Sequence, residues 1–304
     1  MYTKPVTEII LDHNLNAHCY ADDTLIYFSF KSEVEFYSNF ENLRLCISDI
    51  SEWMRANSLK LNHEKTDIIL IGTQDNDRVI DSFTIGNNSV SVSNEVKYLG
   101  AIIDHKVTLE GHINSVCRVC FIKIHQLWKI RRYLDFETTK TLVHTAIISR
   151  LDHINGILAG LPIKTTKKLQ RVLNGAARLI FRQPKRTNTT PLLQQLHWLP
   201  VRCRIKHKVL TLVYKCINGT GPQYLCDLLR PYRVDRENLR SGNQQLLEVP
   251  YPENRYSSRA FSYYGPKHWN QLPPNVRSAT SVKLFRKRLK THLFYRYFIL
   301  GERD

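Results

Sequence analysis

Two adjacent carboxylates, Asp22 and Asp23, stand between two short apolar stretches and follow Tyr20 and Ala21. Side by side they repel and raise each other's pKa. A bound divalent cation removes that cost. Magnesium suits the position, because it takes carboxylate and phosphate oxygens and keeps several waters. A pair of such ions, facing a nucleic-acid 3′-hydroxyl and a triphosphate, is the arrangement for in-line nucleotidyl transfer. Catalysis there is mainly positioning and charge stabilisation. An Asp-Asp pair also occurs in ordinary turns, so the surrounding elements must decide between the two readings. A second constellation, Cys117-x-x-Cys120, has zinc-ligand spacing, but no second pair follows it at a useful distance. Ile113, Val116, Cys120, Ile124 and Leu127 recur at three and four residues. That puts Cys120 on the apolar stripe of a helix, where a free cysteine packs as a small hydrophobe.

The elements that must hold the carboxylates alternate between strand and helix over the first hundred residues. Residues 16–20 and 24–30 read as short strands on either side of the acidic turn. Ser32-x-x-Glu35 is a capping box that opens a helix. Its apolar stripe runs Phe36, Phe40, Leu43, Ile47, Ile50, Met54 and stops near Asn57-Ser58. Residues 66–71 read as a buried strand that ends at Gly72. Residues 83–85, 90–92 and 96–103 read as further strands, with Gly86-Asn87-Asn88 as a turn. Beyond about Asp104 the pattern becomes helical: 109–132, 137–158 and 165–181, a basic linker over 184–190, and one or two helices over 191–218. Residues 222–274 read as loop-rich, and 282–297 as a last, very basic helix.

Charge divides the chain at the same place. Residues 1–104 carry 8 Lys and Arg against 16 Asp and Glu, whereas residues 105–304 carry 36 against 11. The net charge of +17 therefore resides in the second part, which should attract polyanions, nucleic acid first. The basic residues come in helical clusters: Lys129, Arg131 and Arg132; Lys164, Lys167, Lys168 and Arg171; Lys283, Arg286, Lys287, Arg288 and Lys290. Apolar residues such as Leu284, Phe285, Leu289 and Phe294 interleave with the last, so the helix reads as apolar toward a core and basic toward a duplex. A solvated basic face and, for the last cluster, a membrane-surface helix are the other readings. Trp198 and Trp269, each near a proline, read as core anchors. Seven cysteines, an odd number, and the lack of a signal-like opening or a long apolar run favour a reduced, intracellular protein.

With these residues in view, the chain resembles the reverse transcriptases of non-LTR retrotransposons, the LINE-type and jockey-like elements. Tyr20-Ala21-Asp22-Asp23-Thr24 is similar to their YADD box. Trp53-Met54 … Asn57-x-Leu59-Lys60-Leu61-Asn62-x-x-Lys65-Thr66 resembles the palm segment that follows it. Val96-Lys97-Tyr98-Leu99-Gly100 resembles the primer-grip turn. Further on, Ser149-Arg150-Leu151-Asp152-His153-x-Asn155, Leu196-His197-Trp198-Leu199-Pro200-Val201 and Trp269-Asn270-x-Leu272-Pro273 resemble boxes of the thumb and beyond. Host maturase-like and telomerase-like polymerases lack the leucine-histidine-tryptophan-leucine-proline box.

The resemblance implies an α+β fold: a partial polymerase palm at 1–102, a helical thumb-like region at 103–184 and a basic C-terminal region at 185–304. It implies RNA-directed DNA synthesis in the nucleus with Mg²⁺, deoxynucleoside triphosphates, an RNA template and a DNA primer, and no membrane. Asp22 and Asp23 would bind metal, and Lys65 would sit near the triphosphate as a general acid. Tyr20 would pack near the primer terminus, and Tyr98, Leu99 and Gly100 would hold the primer strand. Lys129, Arg131, Arg132, Lys167, Lys168 and Arg171 would contact nucleic acid. The family's third metal-binding aspartate lies well upstream of the hairpin, whereas this sequence starts nineteen residues before Tyr20 with only Glu8 and Asp12 between. His153 stands where the family shows Tyr. The expectation is therefore a C-terminal fragment, inactive by itself, with a non-catalytic nucleic-acid-binding remnant as the alternative. An unpaired sheet edge should also leave 1–102 unstable.

Overall fold

The structure, a computed structural model, describes residues 4–72, 82–85, 88–232, 245–254 and 256–302. It is of mixed α+β class with small antiparallel sheets. The chain divides into two units, Met1–Thr108 and Leu109–Asp304.

In the first unit, α1 (Lys4–Asp12) lays Val6 and Ile10 against Cys46 and Ile50 of α2 (Glu33–Ala56), and Leu15 completes the cluster. The hairpin β1 (Asn16–Tyr20)–β2 (Asp23–Tyr27) sits on this core through Ala17 and Ile26, which face each other across the register. Because strand side chains alternate, Tyr20 and Asp23 share the opposite face with His18 and Leu25. The second strand ends at Tyr27, short of the expected residue 30, because β1 has no residue before Asn16 left to pair with it. Phe28 and Phe30 turn instead into an aromatic cluster with Phe36, Phe40 and Phe83.

Helix α2 starts where the capping box places it. Ser32 Oγ accepts from the Glu35 N–H at 3.3 Å, but the Glu35 carboxylate reaches back to the Lys31 N–H at 2.7 Å, not to that of Ser32. Of the expected stripe, Phe36 and Ile50 are buried, and Cys46 is buried where Ile47 is only half-buried. The helix closes at Ser58 in the left-handed region (φ 57°), with Leu59 N–H donating to Met54 O at 2.8 Å.

Residues 66–71 are not a strand. Ile68 makes a single parallel bridge to Val92, and residues 68–70 are only half-buried. The neighbouring β4 (Asn88–Ser91) pairs with β3 (Ser82–Ile85) instead. Gly86 and Asn87 of the expected turn lie outside the described residues, and Asn88 opens β4. The expected strand 96–103 is two, β5 (Glu95–Tyr98) and β6 (Ala101–Asp104), folded back at Leu99 (φ 46°) and Gly100 (φ 82°). Positive φ at both central residues marks the hairpin turn that suits strand twist; glycine takes it freely, a leucine at some cost. Among the described residues every sheet has two strands, and such hairpins are marginal alone. Amides of β1 and β2 should thus exchange hydrogen faster than those of the buried helix Val201–Ile217 in the second unit; equal protection by mass spectrometry would contradict this.

The second unit is helical. Helix α3 (Glu110–Ile130) packs along α6 (Ile163–Ile180). Lys168 donates to Asn114 at one end and Arg131 to Leu179 O at the other, so the two helices run parallel. The expected single helix 137–158 is broken. It runs as α4 (Phe136–Val143), a π-helical stretch (His144–Ile148), α5 (Ser149–Asp152) and a 3₁₀ turn (Asn155–Leu158) after Ile154 at φ 49°. Then α7 (Thr190–Gln195) leads into α8 (Val201–Ile217), followed by a short α9 (Gln223–Cys226).

The region read as loops holds α10 (Phe261–Asn270), then α11 (Pro274–Arg277), before the last helix, α12 (Val282–Phe298). Gly265-Pro266 reads as a breaker in sequence. In the structure Gly265 is buried where α10 crosses α8, and a Cβ there would meet Val213 Cγ2 at 2.8 Å. Trp269 and Trp198 are core residues as expected, with Trp269 fully buried beside Tyr214 and Phe285. Gly265→Ala should cost about 1–3 kcal/mol by overpacking, partly restored by adding Val213→Ala. Urea unfolding of both variants checks this, and additive losses would rule out the contact.

Candidate active-site hairpin and the basic helical unit

The two carboxylates sit at the tip of the β1–β2 hairpin. Tyr20 pairs with Asp23, which leaves Ala21 and Asp22 as a two-residue loop with Ala21 at φ 55°. Tyr20, Asp22 and Asp23 are all exposed, Tyr20 by 67%. Neither carboxylate makes a hydrogen bond or ion pair among the described residues. A pair of hard oxygen donors, unpaired and open to solvent, fits a magnesium ion in donor type and in room for its waters. Among the described residues no group of three or more His, Cys, Asp or Glu is placed to hold a metal.

The β5–β6 turn comes to this hairpin. Burial first, then the charge of Asp23 and the Cys19 thiol, hold the Tyr98 phenol above its usual pKa. Tyr98 and Asp23 are therefore within electrostatic reach, and Leu99 and Gly100 form the tip that follows. Lys65 is not joined to them. It ends an exposed 3₁₀ turn (His63–Lys65) organised by Asn62, whose Oδ1 accepts from the Glu64 N–H at 3.1 Å. No hydrogen bond or ion pair links Lys65 to Asp22 or Asp23 among the described residues.

The basic candidates separate on inspection of their partners. Arg131 is buried, and its guanidinium donates to three carbonyls: Leu179 and Ile180 at the end of α6, at 2.9 and 2.6 Å, and Leu134 at 2.6 Å. This corrects its expected place on a nucleic-acid surface, since it satisfies the carbonyls that a helix end leaves open. Burial and the nearby Arg182 push its pKa down. Lys129 and Arg132 are exposed, and Arg132 lies over the Tyr133 ring at 4.6 Å. Lys167 and Arg171 are exposed on α6, and half-buried Lys168 donates to Asn114 Oδ1 at 2.8 Å. About a dozen residues, hence roughly 18 Å of parallel helix, separate these two clusters, so they form a track rather than one patch. Cys117 and Cys120 are buried free thiols whose pKa burial pushes up to about 11, which makes them packing residues.

Two boxes of the resemblance meet in the second unit. Asp152 takes both ends of the Arg204 guanidinium, Nε at 2.8 Å from Oδ1 and Nη2 on Oδ2, and also accepts from Asn155 Nδ2 at 3.2 Å. Leu196 ends α7, and His197 follows at φ 51°. The His197 N–H donates to Gln194 O and the Trp198 N–H to Leu193 O, both at 2.9 Å, before Pro200 caps α8. This is the Schellman closure with histidine in the place glycine usually takes. Between the two boxes lies a cavity of about 430 Å³, into which α12 also brings side chains. Sequence periodicity gave no sign of it, because its walls come from residues more than a hundred positions apart.

Residues 1–103, about a third of the chain, match the family model for reverse transcriptase (RNA-dependent DNA polymerase). That segment holds both hairpin tips just described. No curated protein matches the chain. No solved structure matches it either.

Replacing Arg131 by Ala should destabilise the second unit by about 1–3 kcal/mol, since it removes a buried side chain and the donor to Ile180 O, while Leu179 O and Leu134 O keep donors from Arg182. Arg132→Ala should cost under about 0.5 kcal/mol at its exposed site. Denaturation midpoints of the two variants distinguish them, and equal losses would return Arg131 to the surface.

Proposed function

We propose that this chain is part of an RNA-directed DNA polymerase of a non-LTR retrotransposon, working in the nucleus on an RNA template and a DNA primer. The observation that carries the reading is the pair of unpaired, exposed carboxylates on a short hairpin with the Tyr98 turn beside it, within the segment that matches reverse transcriptases. Asp22 and Asp23 would hold magnesium, which when bound supplies charge neutralisation at a triphosphate. Tyr20, on the same face as Asp23, would pack at the primer terminus, while Tyr98, Leu99 and Gly100 would support the primer strand. Lys65, exposed and unpaired, is available to a triphosphate phosphate. Lys129, Arg132, Lys167, Lys168 and Arg171 would track the sugar–phosphate backbone of the template–primer through contacts that ignore sequence and weaken with salt. No membrane is involved in this reading, and no helix among the described residues is long and apolar enough to cross one.

With two carboxylates and no third ligand among the described residues, the chain by itself is proposed to bind without polymerising. The same observation favours a second reading, a non-catalytic nucleic-acid-binding module derived from such an element. Primer extension on an RNA template with Mg²⁺, beside an Asp22→Asn, Asp23→Asn variant and with binding followed over a salt series, tests both. Salt-sensitive binding without extension is expected. Extension that vanishes in the variant would establish the two acids as catalytic and overturn the inactivity. Failure to bind at all would sink both readings.

A further inference from the structure

The cavity between the two boxes carries cations far in excess of acids. Lys140 of α4, Arg204 and Lys208 of α8, and Arg286 and Lys290 of α12 line it, with Asp152 as the one carboxylate. Asp152 is engaged by Arg204, and Lys140 pairs with Glu137 outside the wall, so among the described residues Lys208, Arg286 and Lys290 are left as three positive charges without a carboxylate. Two imidazoles lie in the same surroundings. Burial first, then cations among Arg204, Lys140, Arg286 and Lys290, hold His144 and His207 below the usual histidine pKa. Like charges converging on a concavity raise the potential inside it and draw in an anion.

A second observation points to more than an anion. Asn155 lines the same cavity, is 5% exposed, and its Oδ1 is buried with no hydrogen-bond partner among the described residues. Leaving such an acceptor unmatched is costly. It is matched by a donor on whatever enters, a hydroxyl or an amine, which a fully ionised anion such as sulfate does not bring. Leu196 and Leu199 supply apolar wall. Volume, cations, orphan acceptor and apolar side together suit one nucleotide.

We infer that this cavity binds a single nucleotide unit of an unpaired nucleic-acid strand. Its phosphate lies among Lys208, Arg286 and Lys290, and its ribose hydroxyl or base amine donates to Asn155 Oδ1. A duplex does not fit, because its nucleotides are paired and stacked and none can turn out of the helix into a recess without breaking its pair. The site is separate from the α3–α6 track, which is open and suits a duplex. The inference rests on the reading of the basic unit as nucleic-acid-binding but not on any catalysis at the hairpin.

The test uses the full chain and fluorescence anisotropy. The probes are a 12-nucleotide single-stranded RNA, the DNA strand of the same sequence, and the blunt duplex. The Lys208→Gln, Lys290→Gln variant removes two cavity charges, and Lys185→Gln, Arg186→Gln removes two exposed charges elsewhere. The cavity variant should bind both single strands at least about tenfold more weakly than the control variant, with the salt slope shallower by about 0.7 for the one lost phosphate contact. Its duplex binding should fall no further than the control's. NMR titration of His144 and His207 should show both pKa values rising when the single strand is bound, as a phosphate anion enters the field that depresses them. Preference for RNA over DNA would name the 2′-hydroxyl as the Asn155 donor, and equal binding would name the base; either supports the site. Equal losses in the two variants, or unmoved histidines, would overturn the cavity while leaving the track intact. No binding by the unmodified chain would overturn both.

Discussion

A helical unit with three times as many basic as acidic residues cannot pair its arginines with carboxylates, and much of the architecture follows from that shortage. The guanidinium groups go to backbone carbonyls instead. Arg131 and Arg182 tie the end of α6 to the loop after α3, Arg178 donates to Thr187 O, and Arg277 donates to the carbonyls of Asn270 and Leu272. Each carbonyl is one that a helix end or turn leaves open, so an arginine there satisfies a backbone group and fixes a corner at once. Asp152 stands out against this background. By taking Arg204 it anchors α5 to α8, and among the described residues no carboxylate pairs with Lys208, Arg286 or Lys290. Structure and electrostatic field therefore have the same origin.

The boxes that carried the family resemblance divide along similar lines. The Tyr-Ala-Asp-Asp and Tyr-Leu-Gly tips are exposed turns with little packing duty. The later boxes are corners. Asn57-x-Leu59 closes α2, Leu196-His197-Trp198 closes α7, and Trp269-Asn270 locks α10, where the Asn270 amide bonds both backbone groups of Leu247. Exposed His153, where the family shows Tyr, can drift because nothing packs on it, while Leu151 and Asn155 on either side are buried. A recurrent box is thus no guide to chemistry until its burial is known.

Much of the local structure was legible in the sequence because it depends on neighbours. The period of α2, its Ser32 cap, the acidic hairpin and the basic last helix are short-range patterns, and they lie where periodicity puts them. What escaped was set by distant partners. Residues 66–71 had the composition of a strand but found one bridge; Gly265-Pro266 spelled a break but was a close crossing against Val213. Arg131 and Arg132 are adjacent in sequence and opposite in fate, one inside and one outside, a difference that only the position of α6 decides. The cavity is the extreme case, since its members come from six elements and the 196–199 corner; of its cations only Arg286 and Lys290 stood in a cluster legible in the sequence, and Lys140, Arg204 and Lys208 in none.

Helix α12 brings Phe285 and Leu289 to the core of the second unit and Arg286 and Lys290 to the cavity wall. On a ribosome, which makes the chain from its beginning, α8 emerges long before the surface that must cover it. Until α12 is made, Tyr214 and Trp269 have no Phe285 to lie against. The nascent unit must wait in an incomplete, sticky state that chaperones recognise. Chains that stop before α12 would leave Tyr214 and Trp269 uncovered, so the last helix to be made decides whether the whole unit closes.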